Sequence, residues 1–246
     1  MPQPHFRRAR LQYSGFMTDI LTITLNPAVD VSSTTPRLMP AHKMRCAQTQ
    51  RYPGGGGINV TRVLQRLGAD SLALYLAGGA MGQQLRKLVA QERIASHSLP
   101  IREETRESFA VLDASTGNEY RFVLPGPTVQ PQEWQACIGF LQSMQPAPRI
   151  VVLSGTLPPG VPHDAYGQLA AVAKARGGRV VLDTSGAELR EALAEGVWIV
   201  KPSLRELGEL TGRDLPDEPQ WLAAARQLVQ AGQAQERAVP DAAGHL

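Results

Sequence analysis

The chain has 246 residues, of which 43% are hydrophobic and 19% charged, and this is enough for one large folded domain. Its net charge of +3 reflects Arg7, Arg8 and Arg10, because the first 16 residues contain no acid and the remainder carries 22 basic and 22 acidic side chains. That balance argues against a nucleic-acid-binding surface, and no run of about 18 apolar residues is present to predict a membrane span.

An arginine-containing stretch precedes the first predicted strand. We expect residues 1–16 to form a disordered extension rather than a signal peptide, because they contain no continuous apolar segment. Only Cys46 and Cys137 are present, and their wide separation argues against a structural disulfide. The histidines form no closely spaced pair of the kind that binds zinc. These features predict a cytoplasmic protein.

Strands and helices alternate along most of the chain. Apolar, β-rich segments predict main-sheet strands at 20–25, 71–79, 149–155, 179–183 and 197–202. Helical periodicity predicts helices after the glycines at 54–57 and at 82–94, 162–175, 186–194, 203–211 and 218–231. Alternation of this kind predicts an α/β fold built on a Rossmann-like, mainly parallel sheet.

Two segments interrupt this alternation. ESFAVLDASTGNEYRFVLPG, at 107–126, has two β-like runs around a Ser-Thr-Gly-Asn turn, which is typical of a hairpin. KMRCAQTQRY, at 43–52, is also β-like and has no helical period. Together they predict a small antiparallel β lid outside the main sheet, formed by segments at about 31–52 and 106–125.

Four glycines at 54–57 lead directly into a helical pattern that includes Val63 and Leu67. Their spacing fits neither a Walker A phosphate loop nor a dinucleotide-binding fingerprint. Flexible backbone at a helix N-terminus, together with the amide of Asn59, suits a polyhydroxylated or anionic small molecule. Four successive glycines cost conformational entropy without a return in packing, so we favour a ligand site over a simple tight turn.

Polar side chains follow the predicted strands of the main sheet. Asp30 comes after the first strand and Thr156 after the third, while Asp183 and Lys201 close the fourth and fifth. Asp30, Thr156 and the nearby Ser203 are also ordinary turn or capping residue types, but a lysine contributes nothing to the start of a helix. Ligands bind outside the carboxyl ends of strands in open α/β sheets. The sequence therefore predicts a binding site at this edge of the sheet.

Five ordered motifs carry a resemblance to a known family. They are LTITLNPAVD, PGGGGINVTRVLQRLG, SGTLPPG, VLDTSG and VKPSLREL. On these motifs, residues 17–236 resemble the ribokinase-like, PfkB-type carbohydrate kinases, and the GGGGIN form is most similar to their phosphofructokinase B branch. The resemblance implies transfer of the γ-phosphoryl group of ATP, with Mg²⁺, to a hydroxyl of a sugar phosphate. Fructose 6-phosphate is the implied substrate, with tagatose 6-phosphate and fructose 1-phosphate as alternatives.

The resemblance also implies roles for individual residues. Those that would contact the sugar or its phosphate are Asp30, Lys43, Gly54, Gly55, Asn59, Arg106 and Thr156. Those that would face the nucleotide phosphates are Lys201 and Ser203, and the implied Mg²⁺ ligands are Asp183 and Glu206. An arginine suits the phosphate role because its planar fork meets two oxygens at once. The lid would join two copies of the chain into a homodimer.

Two departures from the family pattern modify this expectation. The family has an Asn-x-x-Glu motif after the fifth strand, where this chain has Ser203 and Glu206. The family's GAGD motif, which contains the general base, has no counterpart here, and residues 237–246 resemble no family segment. We therefore expect a domain that is incomplete at its C-terminus and a polypeptide without significant kinase activity. A non-catalytic protein that retains sugar-phosphate binding is the alternative.

Overall fold

The structure of the protein, a computed structural model, describes residues 18–237. The predicted extension at 1–16 lies outside this range, as does the predicted tail at 237–246 apart from the backbone of Arg237. The strands of the described residues, numbered in chain order, are β1 (Ile20–Thr24), β2 (Ala28–Thr35), β3 (Gln50–Gly54), β4 (Ser71–Ala77), β5 (Ser96–Pro100), β6 (Arg106–Asp113), β7 (Glu119–Val123), β8 (Ile150–Ser154), β9 (Arg179–Asp183), β10 (Val197–Val200) and β11 (Ala234–Arg237).

The helices between these strands are also numbered in chain order. They are α1 (Gly56–Arg66), α2 (Gly79–Gln91), α3 (Pro131–Ser143), α4 (Ala165–Ala175), α5 (Gly186–Ala194), α6 (Leu204–Thr211) and α7 (Glu218–Gln230). Within this part of the chain, no helix combines the length and apolar character needed to cross a membrane.

The main sheet has the strand order β11-β10-β9-β8-β1-β4-β5, and every neighbouring pair is parallel. Helices α1 and α2 pack on one face, where Ile58 and Leu85 are buried, and α3, α4 and α5 pack on the other. This arrangement confirms the predicted α/β fold with a Rossmann-like parallel sheet. Helix α3 and the two edge strands, β5 and β11, lie outside the predicted elements.

The small sheet has the order β3-β2-β6-β7 and is mixed, so the prediction of an antiparallel lid is wrong in one respect. The outer pairs are antiparallel, but the central strands β2 and β6 are parallel, with Ala28 opposite Arg106. The path of the chain explains this. Strands β2 and β6 follow β1 and β5, which are parallel strands of the main sheet, so both leave that sheet at its carboxyl edge and run in the same direction.

Alternation along its strands gives the small sheet two different faces. One face carries Val29 and Val31, which are buried in a cluster with residues of α2. The opposite face carries polar side chains. Asp30 lies directly across from Ser108 on this face, and Arg121 lies on the same face of the outer strand β7. The small sheet therefore presents a polar surface beside the main sheet.

Strand β1 lies at the centre of the main sheet, between β8 and β4. The chain first builds outward from β1 through β4 and β5, and then returns to the other side of β1 with β8. This reversal of direction leaves a crevice at the carboxyl ends of β1 and β8, which is where open α/β sheets bind ligands. The small sheet and the beginning of α1 both lie at this end of the sheet.

Helix α1 packs closely over β1 through small residues. Thr61 shares a buried 2.7 Å hydrogen bond with Thr22. The buried residues of the helix are Gly57, Ile58 and Thr61. By contrast, Val63 and Leu67 are 52% and 77% exposed. The predicted helix is present, but these apolar residues do not form its buried face, because glycine and threonine make the closest approach to the sheet.

Candidate functional site

A cleft of about 670 Å³ lies between the polar face of the small sheet and α1. Strands β2, β6 and β7 form one wall, and α1 with the end of β3 forms the other. The charged residues that border it are Asp30, Arg62, Arg66, Glu92, Arg106, Glu119 and Arg121. A concave space of this size with a few convergent polar groups is typical of a small-molecule site.

Asp30 lies on β2 of the small sheet, rather than at the end of a main-sheet strand as predicted. Its side chain borders the cleft and is partly buried. Burial raises the pKa of the Asp30 carboxyl, and the positive charges of Arg121, Arg106 and Arg62 partly oppose this change. Asp30 forms no ion pair with a described residue. An ionised carboxylate in this position can accept hydrogen bonds from ligand hydroxyls.

The glycine run supports this arrangement through close packing. A Cβ atom at Gly54 would lie 2.3 Å from Oδ2 of Asp30, and one at Gly57 would lie 2.6 Å from Oγ1 of Thr24. At the two intervening glycines, a Cβ atom would also come within 2.7 Å of a side chain. The expectation that the run has no return in packing is therefore wrong, because only glycine lets the chain pass so closely over β1, β8 and Asp30.

Asn59 borders the cleft from the first half of α1. Its Oδ1 accepts a hydrogen bond from Arg62, one turn further along the helix. The Arg62 guanidinium also donates to the Glu92 carboxylate and, at 2.8 Å, to the backbone oxygen of Pro53. Arg62 thus connects α1 with the end of β3 and with the residue that follows α2.

Two arginines reach the cleft from the small sheet. Arg106 donates through Nη1 and Nη2 to the backbone oxygens of Leu124 and Asn26, each at 3.2 Å. Burial lowers the pKa of Arg106, although a nearby carboxylate opposes this change. Arg121 is well exposed and lies 3.6 Å from a carboxylate oxygen of Glu119. Because a guanidinium has five N–H groups, both side chains keep donors that a ligand can use.

Not all of the predicted substrate residues border the cleft. Lys43 is exposed in the segment between β2 and β3 and lies outside the cleft wall. Thr156 follows β8, and its hydroxyl accepts a 3.1 Å hydrogen bond from Nδ2 of Asn26. Gly54 lies against Asp30 rather than in the wall. The predicted substrate residues that the structure brings together at the cleft are Asp30, Gly55, Asn59 and Arg106.

A second set of predicted residues lies at the carboxyl ends of β8, β9 and β10. Nζ of Lys201 is 3.1 Å from Oδ1 of Asp183, and Oγ of Ser154 donates to Oδ2 of Asp183 at 3.2 Å. We refer to Ser154, Asp183 and Lys201 as the strand-end group. Asp183 is thus ion-paired with Lys201 and hydrogen-bonded to Ser154, so both oxygens of its carboxylate are engaged.

Ser203 and Glu206 begin helix α6 with a reciprocal capping box. The Ser203 hydroxyl accepts from the backbone N–H of Glu206 at 3.3 Å, and Oε2 of Glu206 accepts from the backbone N–H of Ser203 at 2.7 Å. The serine that replaces the family's asparagine therefore keeps the capping role, since both residue types are favoured at this position.

The fit of Mg²⁺ to these residues depends on the donors that remain. Residues 18–237 contain no group of three or more His, Cys, Asp or Glu side chains that could enclose a metal ion. Mg²⁺ usually takes one or two carboxylates together with waters and substrate phosphates. Glu206 keeps Oε1 without a hydrogen bond to a described residue, whereas both oxygens of Asp183 are engaged. These carboxylate oxygens fit an ion that is held mostly by phosphate and water. Glu206 is better placed than Asp183 to act as a ligand.

Five charged residues of the cleft lie outside the predicted site, namely Arg62, Arg66, Glu92, Glu119 and Arg121. Arg62 follows Asn59 by three positions on a helix, and this spacing places both on one face, so a usable signal was present. Arg121 lies in a predicted hairpin strand, and the sequence does not show which face of the small sheet its side chain occupies. Glu92 follows α2 and reaches the cleft only because the fold brings it to Arg62 of α1, with which it forms an ion pair.

Comparisons with known proteins place these observations in a family. A sequence profile of the pfkB family carbohydrate kinases matches residues 17–240. A Mycobacterium tuberculosis H37Rv protein named ATP-dependent 6-phosphofructokinase isozyme 2 is 41% identical over 216 residues, which cover 88% of this chain and 63% of that protein. An Escherichia coli K12 protein of the same name is 36% identical over 219 residues, covering 89% and 71% of the two chains. The chain thus spans less than two thirds of the mycobacterial relative.

The fold is also similar to that of a solved structure. The crystal structure of phosphofructokinase-2 from Escherichia coli in complex with fructose-6-phosphate superimposes with a TM-score of 0.86 and 36% sequence identity. The similarity covers 91% of this chain and 74% of that chain, so it extends over both sheets.

Proposed function

Because this chain belongs to the pfkB family of carbohydrate kinases, we propose that its cleft binds a sugar phosphate and that the protein acts as an ATP-dependent sugar-phosphate kinase. Fructose 6-phosphate is the proposed acceptor and fructose 1,6-bisphosphate the product. The names of the two relatives and the ligand of the solved Escherichia coli structure support this choice. Tagatose 6-phosphate and fructose 1-phosphate are the alternative acceptors.

The proposal is carried by one observation, the presence of two kinds of polar group in the same cleft. Asp30 and Asn59 offer a carboxylate and an amide, which together accept from and donate to hydroxyl groups. Arg106 and Arg121 offer guanidinium groups, which bind phosphate oxygens in pairs. A sugar phosphate combines hydroxyls with a phosphate in one small molecule, so it uses both kinds of group at once.

The cleft residues would bind and orient the acceptor. Phosphoryl transfer depends mainly on positioning and on neutralising charge, so rigid binding groups contribute directly to it. Arg106 is anchored by two backbone oxygens, and its remaining N–H groups therefore point in fixed directions. Asp30 is confined by Gly54 and would hold a sugar hydroxyl with little loss of side-chain freedom.

The nucleotide side of the proposal involves the strand-end group and the start of α6. ATP with Mg²⁺ supplies, when bound, the transferable phosphoryl group and the charge that balances its phosphates. Lys201 and Ser203 would contact the phosphates, and Glu206 would be a metal ligand together with Asp183. Lys201 is paired with Asp183 at 3.1 Å, and its ammonium group keeps further N–H donors for a phosphate.

Isothermal titration calorimetry of the 246-residue chain with fructose 6-phosphate tests the binding step. We expect the protein to bind, and we expect Arg121→Gln to weaken binding about tenfold or more, because a charge-assisted hydrogen bond is lost. Arg149→Gln is the matched control. Arg149 is 80% exposed and pairs with Asp19 at the amino-terminal ends of β8 and β1, away from the cleft. No binding, or an equal loss in both variants, would contradict the proposal.

A coupled assay of ATP turnover with the three sugar phosphates tests the catalytic step and the choice of acceptor. We expect any turnover to be highest with fructose 6-phosphate. A preference for tagatose 6-phosphate or fructose 1-phosphate would change the proposed acceptor and leave the cleft assignment intact. Binding without turnover would identify this polypeptide as a non-catalytic protein that binds sugar phosphates.

We also propose that the small sheet joins two copies of the chain into a homodimer. The hairpin of β6 and β7 and the residue after it expose large hydrophobic side chains, which are Leu112, Tyr120, Phe122, Val123 and Leu124. Exposed apolar surface of this kind marks association sites. Phe122→Asp should shift the sedimentation coefficient toward the monomer. Leu67→Asp, at an exposed apolar residue directly after α1, is the control and should leave assembly unchanged. Equal sedimentation of all three proteins would contradict the dimer.

A further inference from the structure

We propose that Arg62 and Glu92 are positioning residues that orient the amide of Asn59, so that its NH₂ group is presented to the cleft as a hydrogen-bond donor. All three residues border the cleft. The part of this inference that concerns sugar recognition rests on the proposed function, whereas the part that concerns the amide does not.

The bond between Arg62 and Asn59 fixes the direction of the amide. An asparagine side chain has one accepting oxygen and one donating NH₂ group. Arginine can only donate, so the atom that faces Arg62 must be the amide oxygen. The NH₂ group then has no hydrogen-bond partner among the described residues. Because the Asn59 side chain is exposed, a ligand in the cleft can reach this group.

Arg62 is itself held by several bonds. Its Nε and Nη2 donate to the two carboxylate oxygens of Glu92, and Nη2 also donates to the backbone oxygen of Pro53 at 2.8 Å. The side chains of Arg62 and Glu92 are only 18% and 28% exposed, so solvent and salt screen this pair less than a surface pair. A guanidinium with this many fixed bonds cannot rotate freely, and the amide that it contacts is fixed as well.

The cleft therefore contains both a hydrogen-bond donor, the Asn59 NH₂ group, and an acceptor, the Asp30 carboxylate. A sugar hydroxyl that donates to the Asp30 carboxylate can accept from the Asn59 NH₂ group, which satisfies both of its hydrogen-bonding capacities. With the amide reversed, the cleft would offer two acceptors, and the hydroxyl oxygen would lose its donor. A site that hydrogen-bonds a hydroxyl in both directions rejects analogues that lack it. Arg62 and Glu92 would thus determine selectivity without touching the sugar.

If the Arg62–Glu92 ion pair only joined α1 to the end of α2, its loss would have different measurable effects. It would contribute to the free energy of unfolding, and its loss would leave both the mobility of Asn59 and the choice of ligand unchanged. The decisive measurements are therefore made on the amide and on ligand selectivity rather than on stability.

The first experiment needs no ligand. In the ¹⁵N-labelled protein, the side-chain NH₂ signal of Asn59 is assigned by its loss in Asn59→Asp. We expect an order parameter of about 0.8 in the wild type and below about 0.6 in Arg62→Lys and Glu92→Gln. Lysine keeps the charge but cannot hold all of these acceptors, and glutamine keeps the shape of glutamate. Arg149→Lys is the matched control, because Arg149 pairs with Asp19 away from the cleft, and it should keep the wild-type value.

The second experiment measures selectivity. Calorimetry compares the Kd values of fructose 6-phosphate with those of its 3-deoxy and 4-deoxy analogues. We expect at least one analogue to bind the wild type about tenfold more weakly, and we expect this ratio to fall below about threefold in Arg62→Lys and Glu92→Gln. Arg149→Lys should keep the wild-type ratio.

The outcomes separate the two proposals. An unchanged order parameter in both variants overturns the positioning role, and so does an unchanged selectivity ratio in variants that remain folded. If the wild type does not bind fructose 6-phosphate, the proposed function fails, and the order parameter alone then decides whether Arg62 and Glu92 orient the amide. If Arg62→Lys does not fold, Glu92→Gln supplies both measurements.

Discussion

The cleft and the strand-end group differ in how their charged side chains are satisfied. In the cleft, Asp30 is partly buried, has no ion-pair partner among the described residues and packs against Gly54. In the strand-end group, Asp183 is paired with Lys201 and accepts from Ser154. The cleft therefore holds a buried charge that a ligand can satisfy, at the expense of the free protein, whereas the carboxylate of the strand-end group is satisfied by protein side chains.

The largest effect on stability is expected from a substitution at Gly57, which tests the tight packing beneath the cleft. Alanine at Gly57 would favour an isolated helix, but its Cβ would lie 2.6 Å from Oγ1 of Thr24 and 3.2 Å from the backbone of Ile23. We expect Gly57→Ala to lower the free energy of unfolding by about 1–3 kcal/mol in urea denaturation. Gly139→Ala, in α3 with no atom within 4 Å of the new Cβ, should instead raise it by about 0.5–1 kcal/mol. A neutral Gly57→Ala would contradict the close approach of α1.

The next prediction concerns the unpaired carboxylate. Asp30→Asn should weaken fructose 6-phosphate binding about tenfold or more in calorimetry, because a charge-assisted hydrogen bond is lost. The same substitution should raise the free energy of unfolding, whereas breaking an ion pair would lower it. Burial raises the pKa of Asp30 in the folded state, so the ionised carboxyl destabilises the fold.

The pH dependence follows from the same shift. Below the ordinary aspartate pKa of 3.8, Asp30 is protonated in both states and carries no such penalty. As the pH rises through the higher folded-state pKa, the wild type loses stability that Asp30→Asn keeps. The free energy of unfolding of the variant, relative to wild type, should therefore increase with pH and then level off. A relative stability that falls with increasing pH would contradict this account.

A smaller effect is expected at the start of α6. Ser203→Ala removes the hydroxyl that accepts from Glu206 and should lower the free energy of unfolding by about 1 kcal/mol. Ser203→Asn is the matched variant and should have little effect, since asparagine caps helices as well as serine. If both variants behave alike in urea denaturation, the capping box does not stabilise this helix.

The smallest effect is expected in the strand-end group. Lys201 and Asp183 are 35% and 41% exposed, so solvent screens their ion pair. Lys201→Met should lower the free energy of unfolding by about 0–1 kcal/mol. The difference should shrink further at high salt, because salt screens exposed charges. A loss above about 2 kcal/mol would mean that the pair behaves as a buried one and would remove the contrast with the cleft.

Local patterns predict most of the main sheet, but not its edges. The apolar segments at β1, β4, β8, β9 and β10 all form strands, and the predicted helix at 186–194 coincides with α5. SHSLP and AQER are largely polar and become β5 and β11 only through pairing with β4 and β10. Helix α3 had a usable signal, because Pro131 begins it and Trp134, Ile138 and Leu141 follow at helical spacing.

At the site, local motifs identify residues but not their partners. The glycine run and Asp30 are distinct in the sequence, and the structure packs Gly54 directly against Asp30. Arg62 and Glu92 are 30 residues apart, and neither carries a motif that announces their contact. The parallel pairing of β2 with β6 depends on the route of the chain through the main sheet, so neither strand predicts it alone.

The long-range pairing in the small sheet has a consequence for folding kinetics. Asn26 and Arg106 are 80 residues apart in the sequence, yet they share a hydrogen bond where β2 meets β6. Such contacts require the closure of a large loop, and contacts of this separation slow folding. We therefore expect the elements from α1 to β5 to form before β2 and β6 pair. Fructose 6-phosphate, added during refolding, would then report on the stage at which the small sheet forms.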